Sequence, residues 1–174
     1  KTMTQANLKT AVRDMFTITH LADAPRELVW KAWTEQNQAK QWFGPKGSTI
    51  SYSRFDIKAG GMAHYSMDFE GTTMWGKWSY RAVEPPQRLI AIVAFTDQEG
   101  VKNITHPGMA NWPRETLSTV DFIARGNKTE IVVQWEPYNA TPEEQQVFAN
   151  NHASMEQGWG GTFDRLDEFL AKNR

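Results

Sequence analysis

Four histidines are the side chains in this sequence that could act as acid–base groups or metal ligands near neutral pH, because imidazole titrates in that range. They are spread along the chain at His20, His64, His106 and His152, and no two have the spacing of a metal-binding pair. The chain has no cysteine, which excludes thiol catalysis, thiolate metal sites and disulfides. We therefore predict no metal site and no cofactor, and we interpret each histidine first as a structural or solvated residue.

His106 has the most suggestive surroundings of the four histidines. It lies in the segment 97–114, which has no helix or strand pattern and is followed by Glu115. Irregular segments longer than about 15 residues inside a compact domain usually carry function or move. Together with Trp112, His106 could close over a ligand. The alternative is that these side chains only hold the segment in place.

Aromatic and methionine side chains are the most unusual feature of the composition. The 174 residues include 8 Trp, 9 Phe, 4 Tyr and 7 Met. Such side chains either fill a core or line a cavity, and for any single one core packing is the simpler interpretation. No P-loop, GxSxG or HExxH motif accompanies them. Gly158, Gly160 and Gly161 lie within a predicted helix, which excludes a dinucleotide-binding turn.

The elements that must position these residues begin with a β-rich stretch, 12–20, and two short helices. The first helix opens at Ala24-Pro25, with proline at its first position, and the second covers 38–42 before Gly44-Pro45 ends it. Glycine- and proline-containing turns then separate six further strands, which favours an antiparallel meander. These predicted strands are 48–57, 62–69, 73–83, 89–96, 116–123 and 129–135.

A long C-terminal helix is the clearest single element. Thr141-Pro142-Glu143-Glu144 has the pattern of a capping box with proline at the first helical position. We predict one continuous helix of about 30 residues, hence about 45 Å long. Three glycines in the middle of a helix cost about 3 kcal/mol relative to alanine. We therefore expect Gly158, Gly160 and Gly161 to mark a kink or a close approach by the sheet or a ligand.

Alternation along two of the strands indicates which side chains face the interior. In 62–69 and 73–83 every second residue is apolar, so one face of the sheet should be buried. A curved sheet that grips a long helix would leave a cavity at its mouth, lined by aromatic side chains. We predict no catalytic residue. The predicted ligand-binding residues are Tyr65, Met67, Trp78 and Tyr80 on the sheet, Met155 and Trp159 on the helix, His106 and Trp112 at the mouth, and Trp42 at the opposite rim.

Charge and hydropathy exclude several functions. A formal net charge of −1 and a pI near 6.5 lack the positive field of a protein that binds nucleic acid through phosphates. No stretch approaches the ~20 apolar residues of a transmembrane helix, and no secretion leader is visible. We expect one domain, 1–174 with an ordered core of 12–172, in the cytoplasm, with neither nucleic-acid binding nor membrane insertion.

A series of short motifs along the chain resembles a known family. The motifs are Ala24-Pro25, Val29-Trp30-Lys31-Ala32-Trp33, Gln41-Trp42-Phe43-Gly44-Pro45, Asp56 with Gly60-Gly61, Trp75-Gly76-Lys77-Trp78, Glu84-Pro85-Pro86-Gln87-Arg88-Leu89, His106-Pro107, Trp112-Pro113 and Gln157-Gly158-Trp159. In this order they resemble the START-like (SRPBCC) superfamily and, within it, the heat-shock protein 90 ATPase activator-homologue (AHSA-type) family. The resemblance implies an α+β helix-grip fold. In that fold a curved antiparallel sheet of six to seven strands wraps around a long C-terminal helix, with two short helices after the first strand.

The resemblance also implies a container. In relatives, the sheet and the long helix enclose a cavity that takes lipids, hormones, polyketides or other apolar molecules. We therefore predict that the chain is a non-enzymatic binding or carrier module for a hydrophobic or amphipathic small molecule, such as a lipid. Fold membership alone does not identify that ligand.

Two other functions stay open at this point. One is a cyclase or lyase that acts on an apolar substrate in the same cavity, since some relatives are cyclases or aromatase-like enzymes. His106 would then be the acid–base group, assisted by Glu115 or Tyr80. The other is a chaperone-interacting module, as in the eukaryotic co-chaperone of this family. That co-chaperone has an additional N-terminal domain for which this chain has no room, so we do not expect a chaperone partner. A homodimer formed through an edge strand is a further open prediction.

Overall fold

One antiparallel sheet of seven strands organises the computed structural model, which describes residues 14–173. Consecutive strands from β2 to β7 pair with each other and β1 pairs with β7, so the order across the sheet is β1-β7-β6-β5-β4-β3-β2. The strands are β1 Phe16–Ala22, β2 Thr49–Phe55, β3 Met62–Phe69, β4 Thr72–Glu84, β5 Arg88–Thr96, β6 Glu115–Arg125 and β7 Lys128–Tyr138. The described residues also form the helices α1 Arg26–Thr34, α2 Gln36–Trp42, α3 Pro142–Ala149 and α4 His152–Lys172.

The predicted fold class is confirmed, with strand bounds close to those expected. The observed β3 covers the predicted 62–69, and the other meander strands differ from their predictions by at most three residues at either end. The turn between β3 and β4 shows why the pattern was informative. Glu70 and Gly71 both have positive φ, 51° and 80°, which is the two-residue turn whose twist matches that of paired strands. Residues 12 and 13, where the first strand was predicted to begin, lie outside the described residues.

The first helix begins one residue later than predicted. Pro25 has an extended conformation and immediately precedes α1, instead of being its first helical residue. Its carbonyl oxygen accepts hydrogen bonds from the backbone N–H groups of Leu28 and Val29, so Pro25 still closes the first turn. The second helix, α2, starts two residues before the predicted 38–42 and ends at Trp42 as expected.

The predicted single C-terminal helix is wrong, because the chain forms two helices with an interruption at Asn150 and Asn151. The side-chain amide of Asn151 donates to the carbonyl oxygen of Val147 at 2.6 Å. Asparagine competes in this way for backbone groups, which favours helix ends over helix interiors. The capping box at the start of α3 is present as predicted.

The glycines lie within α4, which stays helical through all of them. A Cβ atom on Gly161 would lie 3.4 Å from the backbone nitrogen of Lys46, so this glycine accommodates a close approach by the 43–48 loop between α2 and β2. The expected close approach is therefore by a loop and not by the sheet. None of the helices in residues 14–173 is both long and apolar enough to cross a membrane.

Apolar side chains of α1, α4 and the sheet form the core. Burying each large apolar side chain is worth about 1.5–3 kcal/mol, which outweighs the cost of the helix glycines. One end of α4 is thereby fixed against the sheet, and the position of the other end determines the space left between them. The core side chains with at most 2% exposure include Val29, Phe122, Ile131, Val133, Phe163 and Leu166.

Candidate ligand-binding site

A cavity of about 260 Å³ lies between the inner face of the sheet and α4. Its walls come from strands β3 to β7, from one face of α4, from the 97–114 segment between β5 and β6, and from the start of the 43–48 loop. These parts are distant in sequence, so the cavity exists only in the folded chain.

Side chains that alternate along β3 and β4 form the floor of the cavity. Tyr65 and Met67 lie opposite Gly76 and Met74 in the register of the two strands. A Cβ atom placed on Gly76 would lie 2.5 Å from Cζ of Tyr65, so the absence of a side chain at Gly76 provides the space for the phenol ring. The other strand residues that line the cavity are Trp78, Val93, Ala94, Phe95, Thr116 and Trp135.

Tyr65 also brings an unpaired polar group to this floor. Its hydroxyl has no hydrogen-bond partner among residues 14–173. Burial raises the pKa of Tyr65 to about 12, because the low-dielectric surroundings disfavour the phenolate. The group is therefore a neutral hydroxyl that can donate to a bound molecule.

One face of α4 forms the opposite wall. Met155, Gly158, Trp159 and Thr162 have the i, i+3, i+4, i+7 spacing of a single helix face, and all four line the cavity. A Cβ atom on Gly158 would meet no atom within 4 Å, so this position leaves open space beside the helix. Asn151 and Ser154 extend the same wall toward the start of α4.

The 97–114 segment contributes His106 and Trp112. The backbone N–H of Gly108 donates to Nδ1 of His106 at 2.9 Å, so Nε2 carries the ring proton. Partial burial lowers the pKa of His106 below its ordinary value, which keeps the imidazole neutral at pH 7. Its ring packs edge-to-face against Phe95 with centroids 4.7 Å apart. The remaining lining residues of this segment are Met109 and Pro113.

The 43–48 loop closes the cavity on the other side with Phe43, Gly44 and Pro45. Nη1 of Arg165 on α4 donates to the carbonyl oxygens of Gly44 and Pro45 and lies 3.1 Å from Oγ of Ser48. One guanidinium group therefore joins the helix wall to the loop wall.

Seven of the nine predicted site residues line this cavity. Their role in binding stays a prediction. The seven are Tyr65, Met67, Trp78, His106, Trp112, Met155 and Trp159.

The structure places the other two predicted residues outside the cavity lining. Trp42, expected at a rim, is fully buried, because α2 packs on α1 and its indole N–H donates to the carbonyl oxygen of Ala32 at 3.0 Å. Tyr80 is 8% exposed and packs in the core near Tyr52. Burial raises the pKa of Tyr52, and the proximity of Tyr80 raises it further. Tyr80 lies on the same buried face of β4 as Trp78, as alternation predicts, but it is farther along the strand and packs in the core instead of lining the cavity.

Several lining residues were absent from the prediction. Alternation could have identified Met74, which lies on the same face of β4 as Trp78, and Trp135 at the end of the predicted 129–135 strand. Met109 lies in an irregular segment, where no periodicity exists to place it. Phe43 belongs to a loop whose position depends on contacts with α4.

The other three histidines lie outside the cavity lining, and each has a partner in the fold. Within residues 14–173, no group of three or more His, Cys, Asp or Glu side chains is placed to hold a metal ion. The histidine contacts join His20 Nε2 to Asp167 at 2.8 Å, His152 Nε2 to Asp14 at 2.7 Å and His64 Nδ1 to Ser53 Oγ at 2.5 Å.

The structure resembles a protein from Arthrobacter aurescens (24% identity, 91% of this chain and 86% of that chain covered, TM-score 0.75). It also resembles a protein from Mycobacterium smegmatis (20% identity, 90% of each chain, TM-score 0.72) and the AHSA1 protein from Silicibacter pomeroyi (16% identity, 92% of this chain and 100% of that chain, TM-score 0.66). At these identities the likeness shows the fold.

No curated protein matches the sequence. The pattern of the family described as activator of Hsp90 ATPase homolog 1-like protein matches residues 23–171, which is most of the chain. The chain therefore belongs to the activator of Hsp90 ATPase homolog 1-like family.

Proposed function

We propose that this protein is a binding or carrier module that holds a hydrophobic or amphipathic small molecule between α4 and the sheet. The observation that carries the proposal is the cavity of about 260 Å³ with an aromatic and methionine lining. Protein interiors are otherwise close-packed, with few voids larger than one water molecule. At about 30 Å³ per water, a space of this size corresponds to several water molecules, so the aromatic side chains do not fill it by themselves.

The polar groups around the cavity support an orienting role. The hydroxyl of Tyr65 and the Nε2–H of His106 are neutral donors among apolar walls. Binding sites for small molecules commonly combine a large apolar lining with a few such groups. The walls would provide affinity and these donors would fix the direction in which an amphipathic molecule lies.

An enzymatic function has less support from the geometry. Within residues 14–173, the ring of His106 has one hydrogen bond, which it accepts from the backbone N–H of Gly108. Neither Glu115 nor Tyr80 lines the cavity. The assistance to His106 that was expected from these two residues is therefore missing, and the other titratable side chain of the described lining is Tyr65, a neutral phenol. We therefore keep a cyclase or lyase activity as the alternative function.

A matched pair of helix variants tests the proposal. Gly158→Leu places a side chain beside the cavity, whereas Gly160→Leu adds the same side chain to a residue of α4 that does not line it. Both changes favour the helix by roughly 0.8 kcal/mol, so neither is expected to lower the melting temperature. In native mass spectrometry of protein purified from its own cell extract, we expect the wild type and Gly160→Leu to carry a small-molecule adduct and Gly158→Leu to lose it. An adduct that persists unchanged in Gly158→Leu would contradict binding in this cavity.

The description of the family suggests activation of the Hsp90 ATPase as another function. This alternative predicts that the purified chain raises the ATPase rate of Hsp90. A rise of the same size with Gly158→Leu would favour an interaction surface outside the cavity over the container function.

A further inference from the structure

The cavity lining has an unusual composition for a site that would hold an acyl chain. Seven Phe, Tyr or Trp side chains, the imidazole of His106 and four methionines line it, while the aliphatic side chains from the strands are those of Val93 and Ala94. Among these lining residues, which all belong to the described part of the chain, there is no leucine or isoleucine. Aromatic rings attract other rings through edge-to-face and offset contacts, and thioether sulfur favours contact with ring edges. The walls therefore match a flat aromatic molecule better than a flexible chain.

Among the described residues, the lining also has no aspartate, glutamate, lysine or arginine side chain. Arg165 on α4 does not line the cavity, and its Nη1 group already donates to three oxygen atoms of the 43–48 loop. His106 donates from a neutral ring, because its Nδ1 accepts the N–H of Gly108. An ionised ligand would therefore lose its hydration without gaining an opposite charge, which is strongly unfavourable.

Several lining side chains carry neutral donor groups that could meet a polar atom of the ligand. Besides the indole N–H groups of Trp78, Trp112 and Trp159, these are the donors of Tyr65 and His106. The hydroxyl of Tyr65 has no partner among residues 14–173, and the Nε2–H of His106 is not engaged by any hydrogen bond within those residues. Both side chains line the same cavity, one from the sheet and one from the 97–114 segment. A ligand oxygen that accepts hydrogen bonds, such as a ketone or phenol oxygen, suits these donors.

We infer that the cavity selects an uncharged, planar aromatic molecule with one hydrogen-bond-accepting oxygen, in preference to an acyl chain or an aromatic carboxylate. The inference rests on the proposed function, since it names the class of molecule that the same cavity would hold. Tyr65 is the specificity-determining residue for the accepting oxygen. A rigid ring system also loses less conformational entropy on binding than a chain of the same size.

Three probes with equal numbers of non-hydrogen atoms test the selection by isothermal titration calorimetry on the full chain. They are methyl naphthyl ketone, naphthoate and methyl decyl ketone. At pH 7 we expect methyl naphthyl ketone to bind at least tenfold more tightly than naphthoate, which is ionised, and than methyl decyl ketone, which is flexible. Equal or tighter binding of either competitor overturns the inference but leaves the proposed container intact. Failure of all three probes to bind also overturns the inference, while the adduct seen by native mass spectrometry decides separately on the container.

The Tyr65→Phe variant separates hydrogen bonding from packing. Because the hydroxyl has no protein partner in the described residues, its removal is not expected to lower the melting temperature. Loss of one neutral hydrogen bond is expected to weaken methyl naphthyl ketone several-fold and to leave ethylnaphthalene, which has no acceptor, unchanged. Equal changes for the two molecules would contradict the role assigned to Tyr65.

Discussion

At the scale of single residues, the floor of the cavity depends on a glycine opposite a tyrosine. The ring of Tyr65 occupies the space that a side chain at Gly76 would need. Pairing a ring with a glycine across two strands is one way in which a sheet keeps its pleat while burying a large side chain. This contact places the Tyr65 hydroxyl on the cavity floor and makes Gly76 important although it has no side chain of its own.

Gly76→Ala is therefore expected to displace the ring of Tyr65. Overpacking of a filled site typically costs about 1–3 kcal/mol of unfolding free energy, which urea denaturation can measure. In a Tyr65→Ala background the same change meets no ring, so its cost should largely disappear. Additive effects of the two substitutions would contradict the proposed contact, because residues in direct contact show coupling in a double-mutant cycle.

At the scale of elements, the start of α3 holds the end of the 97–114 segment. One carboxylate oxygen of Glu144 accepts the N–H of Thr141 in the capping box at 2.9 Å, and the other accepts the N–H of Arg114 at 3.2 Å. Trp112 packs on Phe148 of the same helix with ring centroids 5.4 Å apart. The mouth of the cavity is thus tied to a helix terminus.

Two capping variants separate these roles of Glu144. Thr141→Ala and Glu144→Ala both remove the reciprocal capping box, and each should lower the unfolding free energy by about 1 kcal/mol. We expect Glu144→Ala alone to accelerate hydrogen exchange at the amide of Arg114, measured by NMR, because Thr141→Ala leaves that acceptor in place. Equal exchange rates at Arg114 in the two variants would show that Glu144 does not hold the segment.

At the scale of the whole molecule, the cavity exists because α4 is joined to a loop that lies far away in sequence. Arg165 contacts three acceptors of the 43–48 loop, and the ion pair between Lys46 and Asp164 joins the same two elements at 2.9 Å. The Arg165 contacts are partly buried, whereas both members of the ion pair are more than half exposed. The two connections should therefore contribute unequally to the free energy of unfolding.

The predicted homodimer stays a prediction.

Arg165→Ala should destabilise the fold more than Lys46→Ala does. Loss of the guanidinium group removes a partly buried donor from the Gly44 carbonyl oxygen and from Ser48 Oγ, at a cost of about 1–3 kcal/mol, while the Pro45 carbonyl oxygen keeps its bonds from Ser48. An exposed ion pair is worth at most ~1 kcal/mol, because water and salt screen it. Urea denaturation of the two variants measures the difference. A loss for Lys46→Ala as large as that for Arg165→Ala would contradict this ranking.

The sequence alone determined the fold class, most strand bounds and the inward face of the strands near the cavity. Period-two alternation in 62–69 and 73–83 depends only on the pleat of a half-buried strand, so it placed Tyr65, Met67 and Trp78 where the structure has them. Glycine and proline turns and the capping box are equally local signals. The short motifs along the chain also indicated the family, which the match over residues 23–171 confirms.

Only the tertiary structure decided where the cavity ends and which residues close it. Trp42 is buried away from it because α2 packs on α1, and Tyr80 is buried in the core beyond the end of the cavity. Met109 lines it from an irregular segment that no periodicity describes. The break between α3 and α4 depends on Asn151, whose amide competes for a backbone carbonyl. That break is a local feature, whereas the boundary of the cavity arises from contacts between elements far apart in the chain, about which local pattern carries no information.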